Sequence, residues 1–140
     1  DEQANLKNYN WDLIDLEGKQ TNLQSRKGEV ILINVWATWC PPCVAELPGF
    51  ADLYKDYGDK VTFVFVANDE KQKVETFLKK KGYDLPVYFQ VSATPKELES
   101  GSIPVTYIVD KQGNIVVDKT GAANWNSDKT RALLDKLIAE

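Results

Sequence analysis

Residues 30–36, Val-Ile-Leu-Ile-Asn-Val-Trp, form an almost unbroken apolar and β-branched run. A run of this kind is a strand buried on both faces, so it needs neighbouring strands and cover above and below. Shortly after it comes Cys40-Pro41-Pro42-Cys43, and from Cys43 onward Leu47, Phe50, Tyr54 and Tyr57 recur at helical spacing. A buried strand therefore passes into a helix through a Cys-Pro-Pro-Cys turn. The rest of the chain reads as scaffold around that unit.

The turn carries the chemistry. Pro41 and Pro42 suit the first turn of a helix, where a missing N–H would have no partner in any case. The positive end of the helix dipole then points at Cys40 and favours its thiolate, which is the reactive form. Cys43 lies one turn on and can attack a mixed disulfide formed at Cys40. Cys40 is thus expected as the exposed nucleophile and Cys43 as the shielded resolving thiol. Other uses of the pair are weaker. A zinc site needs about four ligands, and the chain has two cysteines and no histidine. A structural disulfide across so short a loop would constrain the unfolded chain by only ~2 kcal/mol. A Cys-x-x-Cys beside a strand–helix unit is a redox signal, and the pair itself would be the redox group, with no added cofactor.

Composition narrows the field. A length of 140 residues, 43% hydrophobic and 27% charged, fits one domain spanning 1–140 with a real core. A net charge of −4 argues against nucleic acid or an anionic membrane surface as the partner. Without histidine, Ser-His-Asp and Cys-His catalysis are excluded. No apolar run approaches the ~20 residues that span a bilayer. The chain begins at Asp1 and holds no methionine, so it reads as a processed product, for instance the C-terminal domain of a longer precursor.

Trp-Ala-Thr-Trp-Cys-Pro-Pro-Cys, with Glu46, Pro48 and the later Ile103-Pro104, resembles the thioredoxin superfamily. More narrowly it resembles the TlpA/ResA-like thiol-disulfide oxidoreductases of the bacterial cell envelope. The resemblance runs from about residue 9 to residue 139. It implies an α/β, thioredoxin-like three-layer sandwich: a central mixed β-sheet flanked by helices on both faces, with an N-terminal β-hairpin and an inserted strand–helix unit. It also implies that Pro104 is cis and packs on the cysteine pair, that Ile103 offers its backbone to a substrate chain, and that Gly121 belongs to the substrate groove. Trp39, Pro41, Ile103 and Pro104 would form an apolar rim. Asn34 stands where plain thioredoxins usually carry an aspartate that relays protons beneath the cysteines. An amide cannot exchange a proton at neutral pH, so another group must do so. Glu46, three residues after Cys43 and matching a glutamate of this branch, is the candidate; the plainer alternative is a solvated acid at the helix start.

The same resemblance implies a reductant of cysteine-containing envelope proteins, such as apocytochrome c, recharged by a membrane thiol carrier. It implies a monomer outside the cytoplasm, with a signal or anchor ahead of Asp1. A disulfide-forming oxidase using the same residues stays open, as does an interaction module of a larger envelope protein. A peroxidase does not fit, because Ile33 stands where the peroxidatic motif has proline.

The remaining stretches are routine. Residues 1–8 are polar and expected to fray. A hairpin is expected over 11–23 around Glu17-Gly18-Lys19. Pro48 should kink the cysteine helix, which ends near Gly58. Further strands are expected over 61–67, 87–89, 105–109 and 115–120, and helices over 71–81 and from Ser127 or Asp128 to the end. Five lysines on the 71–81 helix read as a solvated face. Residues 95–99 suit one helical turn, and Trp125 should pack against the edge of the fold.

Overall fold

The computed structural model describes residues 4–140. Seven strands form one mixed sheet in the order β2-β1-β5-β4-β3-β6-β7. The strands are β1 (Asp12–Asp15), β2 (Gln20–Asn22), β3 (Ile31–Trp36), β4 (Thr62–Ala67), β5 (Val87–Gln90), β6 (Val105–Val109) and β7 (Ile115–Thr120). Three helices connect or close them: α1 (Pro41–Tyr57), α2 (Lys71–Lys81) and α3 (Asp128–Ala139). β3 lies at the centre, parallel to β4 and antiparallel to β6. Five of its six residues are buried, as expected of a strand covered on both faces.

Alternation along the strands sorts the core into two layers. Leu32, Trp36, Phe63, Phe65 and Val87 face one way, against Leu47, Phe50 and Leu53 of α1, Val74 and Leu78 of α2, and Leu134 and Leu137 of α3. Ile31, Ile33, Val64, Val66, Val105 and Tyr107 face the other way. The two parallel crossovers β3-α1-β4 and β4-α2-β5 step in the same direction across the sheet, and right-handed crossovers then put both helices on one face. The expected central mixed sheet with its N-terminal hairpin and inserted strand–helix unit is present, and one detail of it is corrected: the three helices share a face. The second face is covered by Leu6, Tyr9 and Trp11 of the N-terminal segment and by Leu23 and Leu98 of two 3₁₀ turns.

That cover also corrects the frayed N-terminus. The expectation for residues 1–3 lies outside the described residues. From Ala4 on, the segment is tied down: Leu6 N–H donates to the Gly113 carbonyl at 2.7 Å, Ile115 N–H donates to the Ala4 carbonyl at 2.8 Å, and Leu6 is buried. Polar composition hid this, because one apolar side chain and a pair of backbone bonds leave little periodic signal.

Local signals set the helix ends. Gly82 follows α2 in the left-handed region, φ +74°, and its N–H caps the carbonyls of Leu78 and Lys79. Ser127, not Asp128, caps α3 by accepting from the Thr130 N–H at 3.2 Å. Helix α1 keeps its helical assignment through Pro48, which is exposed to solvent.

Candidate functional site

The cysteines sit where the sheet's central strand delivers the chain to the first turn of α1. Cys40 is the N-cap, Pro41 and Pro42 are the first two helical residues, and both prolines are exposed. The first free N–H of the helix belongs to Cys43, and it donates to Cys40 Sγ at 3.3 Å. The sulfurs are joined as a disulfide with the Cα atoms 5.3 Å apart. Cys43 is fully buried, while Cys40 is 5% exposed. The expectation of an exposed nucleophile is corrected: the accessible edge of Cys40 is narrow, though it remains the more open of the two. Trp39, 63% exposed, stands beside it as a large apolar side chain left in solvent.

Two loops meet at the start of β6. The Ile103–Pro104 bond is cis, Ile103 is half-buried against the α1 core and Pro104 is buried. Gly121, with φ +94°, donates its N–H to the Pro104 carbonyl at 2.8 Å and so ties the end of β7 to this turn. A cavity of about 560 Å³ opens on the second face of the sheet, lined by Trp11, Val35, Val66, Leu98, Ile103 and Val105 among others. Ile103 thus touches both the α1 core and this cavity.

One turn after Cys43 on α1 begins a buried polar cluster. Glu46 is 3% exposed, which removes the reading of a solvated acid. Its Oε1 accepts from Trp125 Nε1 at 2.8 Å and from the Ala123 N–H at 3.2 Å. Its Oε2 accepts from Asn34 Nδ2 at 3.3 Å. Asn34 also donates to Thr106 Oγ1 at 3.0 Å, a contact set by the β3–β6 register, which places the two residues opposite one another. Burial pushes the Glu46 carboxyl up; the bonds from Trp125, Ala123 and Asn34 pull it down without cancelling the rise. A carboxyl raised in this way is suited to gaining and losing a proton. In this disulfide state it makes no hydrogen bond to either sulfur.

Some of this was beyond sequence reasoning. Trp125, expected against the edge of the fold, is a buried member of the core, stacked on Phe50 of α1 with centroids 5.8 Å apart, and its indole N–H anchors Glu46. Asp69 accepts from both the N–H and the hydroxyl of Thr38, and so pins the loop that leads to Trp39 and Cys40. Burial would raise its carboxyl; bonds from Thr38 and Glu70 and the charge of Lys73 outweigh that and hold it below the ordinary range. No spacing rule links residue 38 to 69 or 46 to 125. Among the described residues, no cluster of three or more His, Cys, Asp or Glu is placed to hold a metal ion.

Comparison with known proteins fits this geometry. The model of the Redoxin family matches residues 3–137. Thioredoxin-like protein YneN of Bacillus subtilis (strain 168) is 35% identical over 104 residues, which cover 71% of this chain and 61% of that protein. Thiol-disulfide oxidoreductase ResA of Bacillus cereus is 34% identical over 112 residues, covering 76% of this chain and 64% of ResA. The chain thus spans less than two thirds of the length of these curated relatives. A thiol:disulfide interchange protein of the thioredoxin family from Chlorobium tepidum TLS superposes with a TM-score of 0.77 at 25% identity, over 99% of both chains. The sheet order, the cis proline and the cysteine turn therefore belong to a thioredoxin-like fold, and the chain is a member of the Redoxin family.

Proposed function

We propose that the protein is a thiol-disulfide oxidoreductase that reduces disulfides of cysteine-containing proteins outside the cytoplasm, apocytochrome c being one such substrate. The observation that carries this reading is the Cys43 N–H donating to Cys40 Sγ at the head of α1. That donor and the helix's positive end favour a thiolate on Cys40.

In the reduced protein, the Cys40 thiolate attacks one sulfur of the substrate disulfide. The substrate S–S bond breaks, one substrate sulfur leaves as thiolate and the other stays on Cys40 as a mixed disulfide. Cys43 then loses its proton, with Glu46 as the acceptor, and attacks the Cys40 sulfur. The second substrate thiolate leaves, and the Cys40–Cys43 disulfide holds the oxidation; two electrons have passed to substrate. No group besides the dithiol is needed. Trp39 and the Ile103-Pro104 turn receive the chain around the target cysteine, with Gly121 behind the turn. A membrane thiol carrier restores the dithiol. The protein works as a monomer, and neither nucleic acid nor metal takes part. No helix among the described residues is long and apolar enough to cross a membrane.

The deciding experiment is the reduction potential of the Cys40–Cys43 pair, from equilibration in graded thiol/disulfide buffers followed by tryptophan fluorescence. A value at or below roughly −220 mV supports a reductant. A value near roughly −120 mV marks a disulfide-forming oxidase and reverses the assigned direction.

A further inference from the structure

The three hydrogen bonds to Glu46 are of two kinds. Oε1 meets the Trp125 indole N–H and the Ala123 backbone N–H, groups that donate and cannot accept. A proton on Oε1 would point at two other protons. Oε2 meets Asn34, and an amide presents a donor at one end and an acceptor at the other. With Nδ2 shared between Glu46 and Thr106, the Asn34 Oδ1 is buried and has no partner. A buried acceptor left unpaired beside a carboxyl requires a reason. Turning the amide end over brings Oδ1 to the carboxyl and leaves the unpaired position to Nδ2. Oδ1 then accepts from a protonated Oε2, and the Thr106 hydroxyl, which both donates and accepts, fits either orientation.

Both partners are held for this task. Trp125 is buried and stacked on Phe50, four residues after Glu46 on α1. Asn34 is fixed by cross-strand pairing with Thr106. The groups bonded around the carboxyl, Asn34 from β3 and Ala123 and Trp125 from the loop after β7, carry no charge. Thr106 of β6 behind Asn34 is also neutral, and no charged side chain shifts Glu46; Cys40 and Cys43, ahead of it on the chain, are joined as a disulfide and do not titrate. Hydrogen bonding is therefore the means by which this site sets where the proton sits.

We infer that Trp125 and Asn34 are positioning residues that confine the exchangeable proton of Glu46 to Oε2. Trp125, with the Ala123 N–H, keeps Oε1 an acceptor, and the Asn34 amide reverses as Oε2 gains or loses its proton. This deepens, and rests on, the proposed role of Glu46 as proton acceptor for Cys43. In the mixed disulfide the Cys43 S–H gives its proton to Oε2. The sulfur's electron pair then forms the bond to Cys40 Sγ, and the Cys40–substrate bond breaks with its electron pair on the departing substrate thiolate. The amide that lacks an ionisable proton thus serves proton transfer by matching both states of its neighbour.

The test is a ¹³C NMR titration of the glutamate side-chain carboxyls of the oxidised protein, with the Glu46 signal assigned by its loss in Glu46→Gln. Trp125→Phe keeps an aromatic ring on Phe50 and removes the N–H. It is expected to raise the Glu46 midpoint by about one pH unit, because the lost bond favours the ionised form. Asn34→Leu removes a partner of both forms and is expected to move the midpoint by less than half as much. Thr106→Val, which strips the amide of its other partner, is the second variant in case Asn34→Leu does not fold, with the same small shift expected. No shift in Trp125→Phe, or an equal shift in the Asn34 or Thr106 variant, overturns the inference. The pH profile of disulfide exchange by the reduced protein should move with the Trp125→Phe midpoint. An exchange profile unchanged by Glu46→Gln would instead sink the role of Glu46 in thiol chemistry, while the midpoints still decide where the proton sits.

Discussion

Removing the Glu46 side chain is the sharpest test of how the buried cluster contributes to stability. In Glu46→Ala, the Trp125 and Ala123 N–H groups lose their acceptor, and Asn34 keeps Thr106 alone. A buried donor left unsatisfied costs about 1–3 kcal/mol. Two full losses and one partial loss, taken as half, give roughly 2.5–7.5 kcal/mol. Relief of a buried charge, and water entering the polar space left behind, offset part of that, so a net loss of about 3 kcal/mol is expected. Glu46→Gln keeps an oxygen for Trp125 and Ala123 and presents its NH₂ to a reversed Asn34 amide, and should lie within about 1 kcal/mol of wild type. The two variants also differ in pH dependence. Burial raises the Glu46 carboxyl, so the folded protein holds the proton more tightly than the unfolded chain. Its contribution is complete below the unfolded carboxyl's pKa and is lost as pH rises through the raised folded value. Glutamine does not titrate, so Glu46→Gln should gain on wild type across that same rise in pH. The assay is guanidinium unfolding of the oxidised forms at about pH 4 and about pH 7.5, followed by circular dichroism. A Glu46→Ala variant within about 0.5 kcal/mol of wild type at both pH values refutes the reasoning.

Three further outcomes are expected. Cys43→Ser should accumulate a mixed disulfide when given a disulfide-containing protein substrate, visible by intact mass, whereas Cys40→Ser should form none; trapping through the Cys40→Ser variant would reverse the assigned roles. Trp39→Ala should leave unfolding within about 0.5 kcal/mol of wild type, because the side chain is 63% exposed, yet slow reduction of a protein disulfide more than that of a small disulfide; equal slowing of both would remove Trp39 from the substrate rim. Phe50→Ala should cost about 3–5 kcal/mol in urea unfolding, since the ring is fully buried between Phe65 and the Trp125 indole; a loss below about 1 kcal/mol would show that the stack does not hold Trp125.

Much of the fold was legible because its signals are local. The β-branched run of β3, the apolar spacing and terminal glycine of α2, the Gly18 hairpin and the serine ahead of α3 each specify their own segment. The Cys-Pro-Pro-Cys turn likewise announces its chemistry within four residues. What covers the second sheet face was not legible, because Leu6, Trp11, Leu23 and Leu98 come from separate stretches, none periodic, and act only after the sheet exists.

The candidate site divides along the same line. Sequence alone placed two cysteines at a helix start, a carboxyl one turn later and a proline before a strand, since each follows from the conformational preferences of nearby residues. Only the tertiary structure decided that Glu46 is buried, that Trp125 reaches it from 79 positions away, that Thr106 faces Asn34, and that Cys40 is nearly closed from solvent. Those facts depend on strand register and loop packing. Desolvation and hydrogen-bond partners, which set the proton chemistry, are properties of that assembled environment and of no single segment.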